Sequence, residues 1–178
     1  VYAKGQGGLL DVLLAPDFGD KGGDIFVSFA QPREGGAAAT AVARGRLVLD
    51  ENGGGKLDNV TTIFQQQPAI AGSSNHFGSR LIWAPDGSLF VTTGDRGDAR
   101  DEVQKPNSLI GKVINLKPDG TAAQTDPAQT GWDAKIWSMG HRNIQGAAID
   151  PATGQLWTVE HGARGGDELN APQRGRNY

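Results

Sequence analysis

One phrase occurs three times in this chain, and it limits what the chain can fold into. Leu9-Leu10-Asp11-Val12-Leu13-Leu14-Ala15-Pro16-Asp17 leads to Ile25-Phe26-Val27-Ser28-Phe29. Ser79-Arg80-Leu81-Ile82-Trp83-Ala84-Pro85-Asp86-Gly87 leads to Leu89-Phe90-Val91-Thr92-Thr93. Gly146-Ala147-Ala148-Ile149-Asp150-Pro151 leads to Leu156-Trp157-Thr158-Val159. Each reads as a short strand, a proline–aspartate turn and a second strand rich in β-branched and aromatic residues, which is hairpin chemistry. Prolines 16, 85 and 151 stand 69 and 66 residues apart. Such spacing is longer than the ~40–50 residues of common propeller repeats, and it suits four-stranded blades carrying long loops.

The stretches between the hairpins supply further strands, expected at 41–48, 59–64 and 109–117, the last running into Pro118-Asp119-Gly120. No segment sustains apolar residues at helical spacing, and 101–109 suits one short turn at most. The 27 glycines among 178 residues are dispersed between short apolar runs, as tight turns require, and not gathered into a linker. The expected class is therefore all-β, a β-propeller with about three blades in residues 1–178. A β-sandwich is the competing architecture, although sandwiches seldom repeat a phrase at long, even intervals. Three blades do not close a ring and would leave a sheet face uncovered at each end. With Val1 in place of an initiator methionine, the expectation is a partial propeller, the N-terminal and central blades of a longer protein.

The bulk numbers remove several classes. A net charge of -3 gives no sign of nucleic acid or an anionic membrane as partner. Cysteine is absent, which excludes disulfides, thiolate metal sites and cysteine nucleophiles. No apolar run approaches the ~20 residues of a membrane span.

Five segments carry candidate chemistry. Asn75-His76-Phe77-Gly78-Ser79-Arg80 puts a histidine at a loop–strand junction, and imidazole suits a general base near neutral pH. Gly94-Asp95-Arg96-Gly97 follows the strand that pairs back, so the hairpin returns Asp95 toward His76, where a carboxylate would fix the tautomer. Gly140-His141-Arg142-Asn143 offers a fixed cation beside an amide, a grip for a planar, oxygen-bearing anion. Glu160-His161-Gly162-Ala163-Arg164-Gly165-Gly166-Asp167-Glu168-Leu169-Asn170 is rich in oxygen donors and glycine, as hard cations prefer, without the EF-hand pattern. Gln6-Gly7-Gly8-Leu9-Leu10-Asp11 is a polar loop entering the first hairpin. Taken singly, each also has a plain structural reading as a turn, a salt bridge or a solvated loop.

Together and in this order, the five phrases resemble the soluble pyrroloquinoline-quinone-dependent glucose and aldose sugar dehydrogenases, and the wording is most like the bacterial aldose enzymes. The resemblance implies a six-bladed propeller, periplasmic or secreted, with the quinone on its central face and Ca²⁺ beside it. It implies that His76 takes the proton of the sugar C1 hydroxyl, that Asp95 orients His76, and that Arg142 joins them in catalysis. Gln6, His76, Arg142 and Asn143 would contact the quinone. Glu168 and Tyr178, the latter through its backbone oxygen, and the carbonyls of Gly162 and Ala163 would hold Ca²⁺. The aldose would leave as a lactone, and its electrons would pass to a separate acceptor. Ile144 and Ala163 stand where relatives often have proline, both at turns. Two other readings of the fold are a calcium-dependent lactonase, which needs no Arg142-Asn143 pair beside a cofactor, and a non-catalytic binding propeller, which needs no His76–Asp95 pair.

Overall fold

In a computed structural model, residues 1–124 and 129–178 are described, and they form three sheets, antiparallel but for one short strand, with no α-helix among them. The first sheet runs β1 (Leu9–Leu14), β2 (Gly22–Pro32), β3 (Ala37–Leu49) and β4 (Gly55–Gln65) in chain order, and β5 (Ile70–Ala71) adds to β3. The second runs β6 (Gly78–Trp83), β7 (Leu89–Thr93), β8 (Lys112–Leu116) and β9 (Ile136–Met139). The third is β10 (Ile144–Ile149), β11 (Leu156–Glu160) and β12 (Glu168–Asn170). A two-residue strand, β13 (Arg176–Asn177), returns to pair in parallel with β9. The three repeated phrases are the β1–β2, β6–β7 and β10–β11 hairpins. Their turns close as their residues dictate: Asp86 accepts from the amide of Ser88 at 3.0 Å, and Asp150 from that of Ala152 at 2.9 Å.

Successive sheets stack by their first strands, with β6 against β1 on one side and β10 on the other. This is the packing of propeller blades about an axis, in three sheets and not the two of a sandwich. The middle sheet is covered on both faces, which explains its nearly continuous apolar strands. On β7, Leu89 and Val91 point toward the first sheet and pack with Phe26, Val42 and Phe64. Phe90 points the other way, to Ile144 and Leu156 of the third sheet. Trp83 meets Phe26 edge-on at 5.1 Å and donates its indole N–H to the carbonyl of Leu14 at 2.7 Å. The outer faces of the end sheets have no such cover. Leu9 and Val12 on β1 and Trp157, Val159 and Leu169 on β11 and β12 are exposed.

One expected strand is shorter than its apolar run. β8 begins at Lys112 and not at residue 109, because Gly111 adopts a positive φ of 63° that breaks the ladder. Leu109 and Ile110 are buried all the same, as a loop under the second sheet. The turn expected in 101–109 is a 3₁₀ turn at Arg100–Gln104.

Candidate functional site

The β6–β7 hairpin builds the centre of the site. Gly78 pairs with Thr93, so the residues just outside the ladder on each strand, His76 and Asp95, come face to face. The approach is close enough that a side chain at Gly94 would collide with the carbonyl of His76. His76 Nδ1 lies 2.7 Å from Asp95 Oδ1, a direct hydrogen bond. Asp95 Oδ1 also accepts the amide of Gly97 at 2.7 Å, and the Asp95 amide donates to the carbonyl of Arg142 at 2.7 Å. Besides the imidazole, the Gly97 amide holds the carboxylate, and the Arg142 carbonyl ties down the Asp95 backbone.

His76 itself is held in the left-handed region, at φ 50°. A non-glycine residue there stays put only when its surroundings hold it. Gln6 supplies part of that hold, its Oε1 accepting the His76 amide at 2.8 Å, while the His76 carbonyl accepts the amide of Arg96 at 3.3 Å. Arg96 is wholly buried, with its guanidinium 3.4 Å above the centre of the Phe77 ring and one N–H donated to the carbonyl of Ser73 at 2.8 Å. Burial brings its pKa down to about 10. With Nδ1 engaged by Asp95, Nε2 is the ring nitrogen left free for chemistry.

His76 and Asp95 line a cleft of about 660 Å³, together with Arg142, Ala163, Arg100 and Arg164. That volume suits a small-molecule site. Three arginines against one engaged carboxylate make the cleft electropositive. Arg142 is braced by an Nη1 hydrogen bond to the carbonyl of His161 at 2.9 Å.

Of the other expected site residues, Arg142 and Ala163 line the cleft, whereas Gln6, Asn143, Gly162, Glu168 and Tyr178 are not among its lining residues. Asn143 is buried behind the cleft, its Oδ1 accepting from Gln145 Nε2 at 3.0 Å. Gly162 and Ala163 lie in the loop after β11, where the Gly162 amide donates to Asp167 Oδ1 at 2.9 Å. The Gly162 amide and His161 hold the Asp167 carboxyl below its ordinary pKa. A side chain at Gly162 would meet the carbonyls of Gly165 and Gly166, so this loop is a tight coil of backbone oxygens. Glu168 is exposed at the start of β12, with Oε2 accepting from Asn170 Nδ2 at 2.9 Å. The Tyr178 amide donates to the carbonyl of Met139 at 3.0 Å.

Among the described residues no group of three or more His, Cys, Asp or Glu side chains gathers as a ready cation site. The oxygen donors expected for a cation are mostly backbone carbonyls, with Glu168 the one carboxylate among them. That donor set fits Ca²⁺, which takes backbone carbonyls readily, better than a transition metal. The cluster of cleft arginines fits a polycarboxylate such as the quinone.

Three features were not anticipated from the sequence. Arg100, at the start of the 3₁₀ turn, and Arg164, in the loop after β11, line the cleft. Glu160 turns inward to His141, a contact between residues nineteen apart that no local pattern announces.

Comparison with known proteins shows which family the chain resembles. The model of the glucose/sorbosone dehydrogenase family matches residues 1–178. Aldose sugar dehydrogenase YliI of Escherichia coli (strain K12) is 43% identical over 180 residues, spanning 100% of this chain and 47% of that protein. Quinoprotein glucose dehydrogenase B of Acinetobacter calcoaceticus is 28% identical over 196 residues, spanning 99% of this chain and 40% of that protein. A solved glucose dehydrogenase superposes with a TM-score of 0.90 at 45% identity, covering 100% of this chain and 51% of that one. The chain therefore spans about half the length of the relatives it matches.

Proposed function

The chain belongs to the glucose/sorbosone dehydrogenase family, and on that footing we propose that it carries the base-bearing part of an aldose dehydrogenase site using pyrroloquinoline quinone and Ca²⁺. The observation behind this reading is the 2.7 Å His76–Asp95 hydrogen bond at the wall of an arginine-lined cleft.

His76 Nε2 accepts the proton of the sugar C1 hydroxyl. Asp95 keeps the other nitrogen protonated and steadies the imidazolium that forms. When bound, the quinone is the hydride acceptor and Ca²⁺ polarises it. Arg142, Arg100 and Arg164 attract and hold its carboxylates. Gln6 fixes the backbone of His76 and, with Asn143, would contact the quinone. The carbonyls of Gly162 and Ala163 would face the ion beside the quinone, and Glu168 with the backbone oxygen of Tyr178 would bind calcium. Loss of the C1 hydroxyl proton to His76, together with loss of the C1 hydrogen as hydride, would turn the cyclic aldose into its lactone. The sugar is the substrate, a separate acceptor takes the electrons, and the site faces the periplasm or the exterior. Three sheets in a chain half as long as its relatives accord with a six-bladed whole. No helix among the described residues is long and apolar enough to cross a membrane.

Reconstitution of the full-length protein with the quinone and Ca²⁺ tests this reading. Aldose-dependent dye reduction with lactone as product is expected. No reduction with any aldose contradicts it, and lactone hydrolysis without the quinone would point to a calcium-dependent hydrolase instead.

A further inference from the structure

At the wall of the cleft, which His141 helps to line, sits a second histidine–carboxylate pair that this chemistry does not use. His141, between β9 and β10, is fully buried, and Glu160 at the end of β11 nearly so. His141 Nδ1 is 2.9 Å from Glu160 Oε1, and Nε2 is 2.8 Å from Ser138 Oγ. The Tyr178 ring stacks on the imidazole with centroids 5.1 Å apart. The order Ser–His–Glu is that of a nucleophilic triad, but Ser138 is sealed from solvent, so no substrate carbonyl reaches it.

Glu160 is a hub. Oε1 takes His141 Nδ1 and, at 3.2 Å, Asn170 Nδ2. Oε2 takes the amides of Arg142 at 2.7 Å and Asn143 at 3.3 Å. Burial would raise its pKa, yet His141 and these two amides outweigh burial and hold it below the ordinary value. Two arms leave the hub. One runs through Arg142, whose carbonyl accepts the Asp95 amide at 2.7 Å, and so reaches the Asp95–His76 pair. The other runs through Asn170, whose Nδ2 also donates to Glu168 Oε2 at 2.9 Å.

We propose that Glu160, locked by His141, is a positioning residue that sets the His76–Asp95 pair in register with Arg142 and Glu168. This rests on the functional reading above, since it assigns those residues their roles. Glu160 acts only through them and touches neither sugar nor quinone. A buried carboxylate suits this task because its two oxygens accept from four donors at once. Glutamine of the same size puts an N–H₂ where one pair of donors needs an acceptor.

The test is Glu160→Gln in the full-length protein, read two ways. In the cofactor-free protein with ¹⁵N-labelled histidine, the hydrogen-bonded Nδ1–H resonance of His76 should shift or broaden into exchange with water. In the loaded protein, kcat for an aldose should fall about 10–100-fold, the usual cost of losing a support behind a reacting group, while KM changes by less than about threefold. Leu156→Ala, in the core between the second and third sheets, is the control for lost stability. It should lower the melting midpoint yet leave the His76 resonance in place. If Glu160→Gln does not fold, His141→Gln should move the same resonance the same way by less. An unmoved His76 resonance in a folded variant overturns the proposal, whether or not the protein oxidises sugar. Absence of sugar oxidation in the wild type would overturn the functional reading alone, because the resonance is measured without cofactor.

Discussion

The three histidines of this chain each face a carboxylate through Nδ1, and the pairs differ mainly in burial. His141–Glu160 is sealed, with side-chain exposures of 0% and 3%. His76–Asp95 is walled but open to the cleft, at 17% and 8%. His161–Asp167 stands in water at 60% and 69%, and its contact is loose, at 3.5 Å. The same two functional groups therefore do three different things. In the sealed pair both ring nitrogens are taken, so it can only hold. In the cleft pair one nitrogen is committed and the other is free. The exposed pair is screened by solvent and contributes little. Chemistry belongs where burial is enough to fix the carboxylate and not enough to exclude a ligand.

That contrast can be broken by removing one carboxylate at a time. Asp95→Asn leaves a neutral amide beside His76 and loses the charge that steadies its imidazolium. Aldose oxidation by the loaded full-length protein should fall by about 10²-fold or more in kcat. A loss no greater than that of Glu160→Gln would mean that the two pairs had been assigned the wrong roles.

A buried charge without a carboxylate partner sharpens the comparison. Lys112 is fully buried, and its Nζ meets only the carbonyls of Glu102, Val103 and Ile110, at 3.2, 2.8 and 2.6 Å. Burial lowers its pKa from 10.5 to about 7, against a small opposing pull from Glu102. Below about 7 both folded and unfolded chains hold the proton, and above 10.5 neither does. Between these values the unfolded chain binds the extra proton, so this group's contribution to stability rises with pH. The melting midpoint of Lys112→Met should rise less steeply across that window than the wild type's. Equal slopes would show that Lys112 keeps its proton. The smallest effect is expected at the exposed pair. His161→Ala leaves the carbonyl that braces Arg142 in place, so kcat should change by less than about twofold and stability by less than about 0.5 kcal/mol.

What the sequence made legible follows the range of the forces involved. The β1–β2, β6–β7 and β10–β11 hairpins are written locally, in proline, aspartate and glycine at the turns, and each was readable. Asp95 could be placed near His76 because a hairpin carries the geometry. The short strands β9, β12 and β13 have too few residues to show alternation, and β13 pairs in parallel across the fold. Glu160 looked like one more oxygen donor in a polar loop. Only the alternation of β11, which buries Leu156, Thr158 and Glu160 together, turns it inward to His141. The uncovered apolar faces of β1 and β11 were expected of an open arc of blades, and the exposed Val12 and Trp157 are its consequence.

The most direct test of the central claim is kcat/KM for an aldose in the quinone- and Ca²⁺-loaded full-length protein and its His76→Ala variant, with quinone binding followed separately by absorbance titration. A base that removes the C1 hydroxyl proton predicts a loss of about 10²–10⁴-fold with quinone still bound. A His76→Ala enzyme that binds the quinone and oxidises sugar within about twofold of the wild type would contradict it.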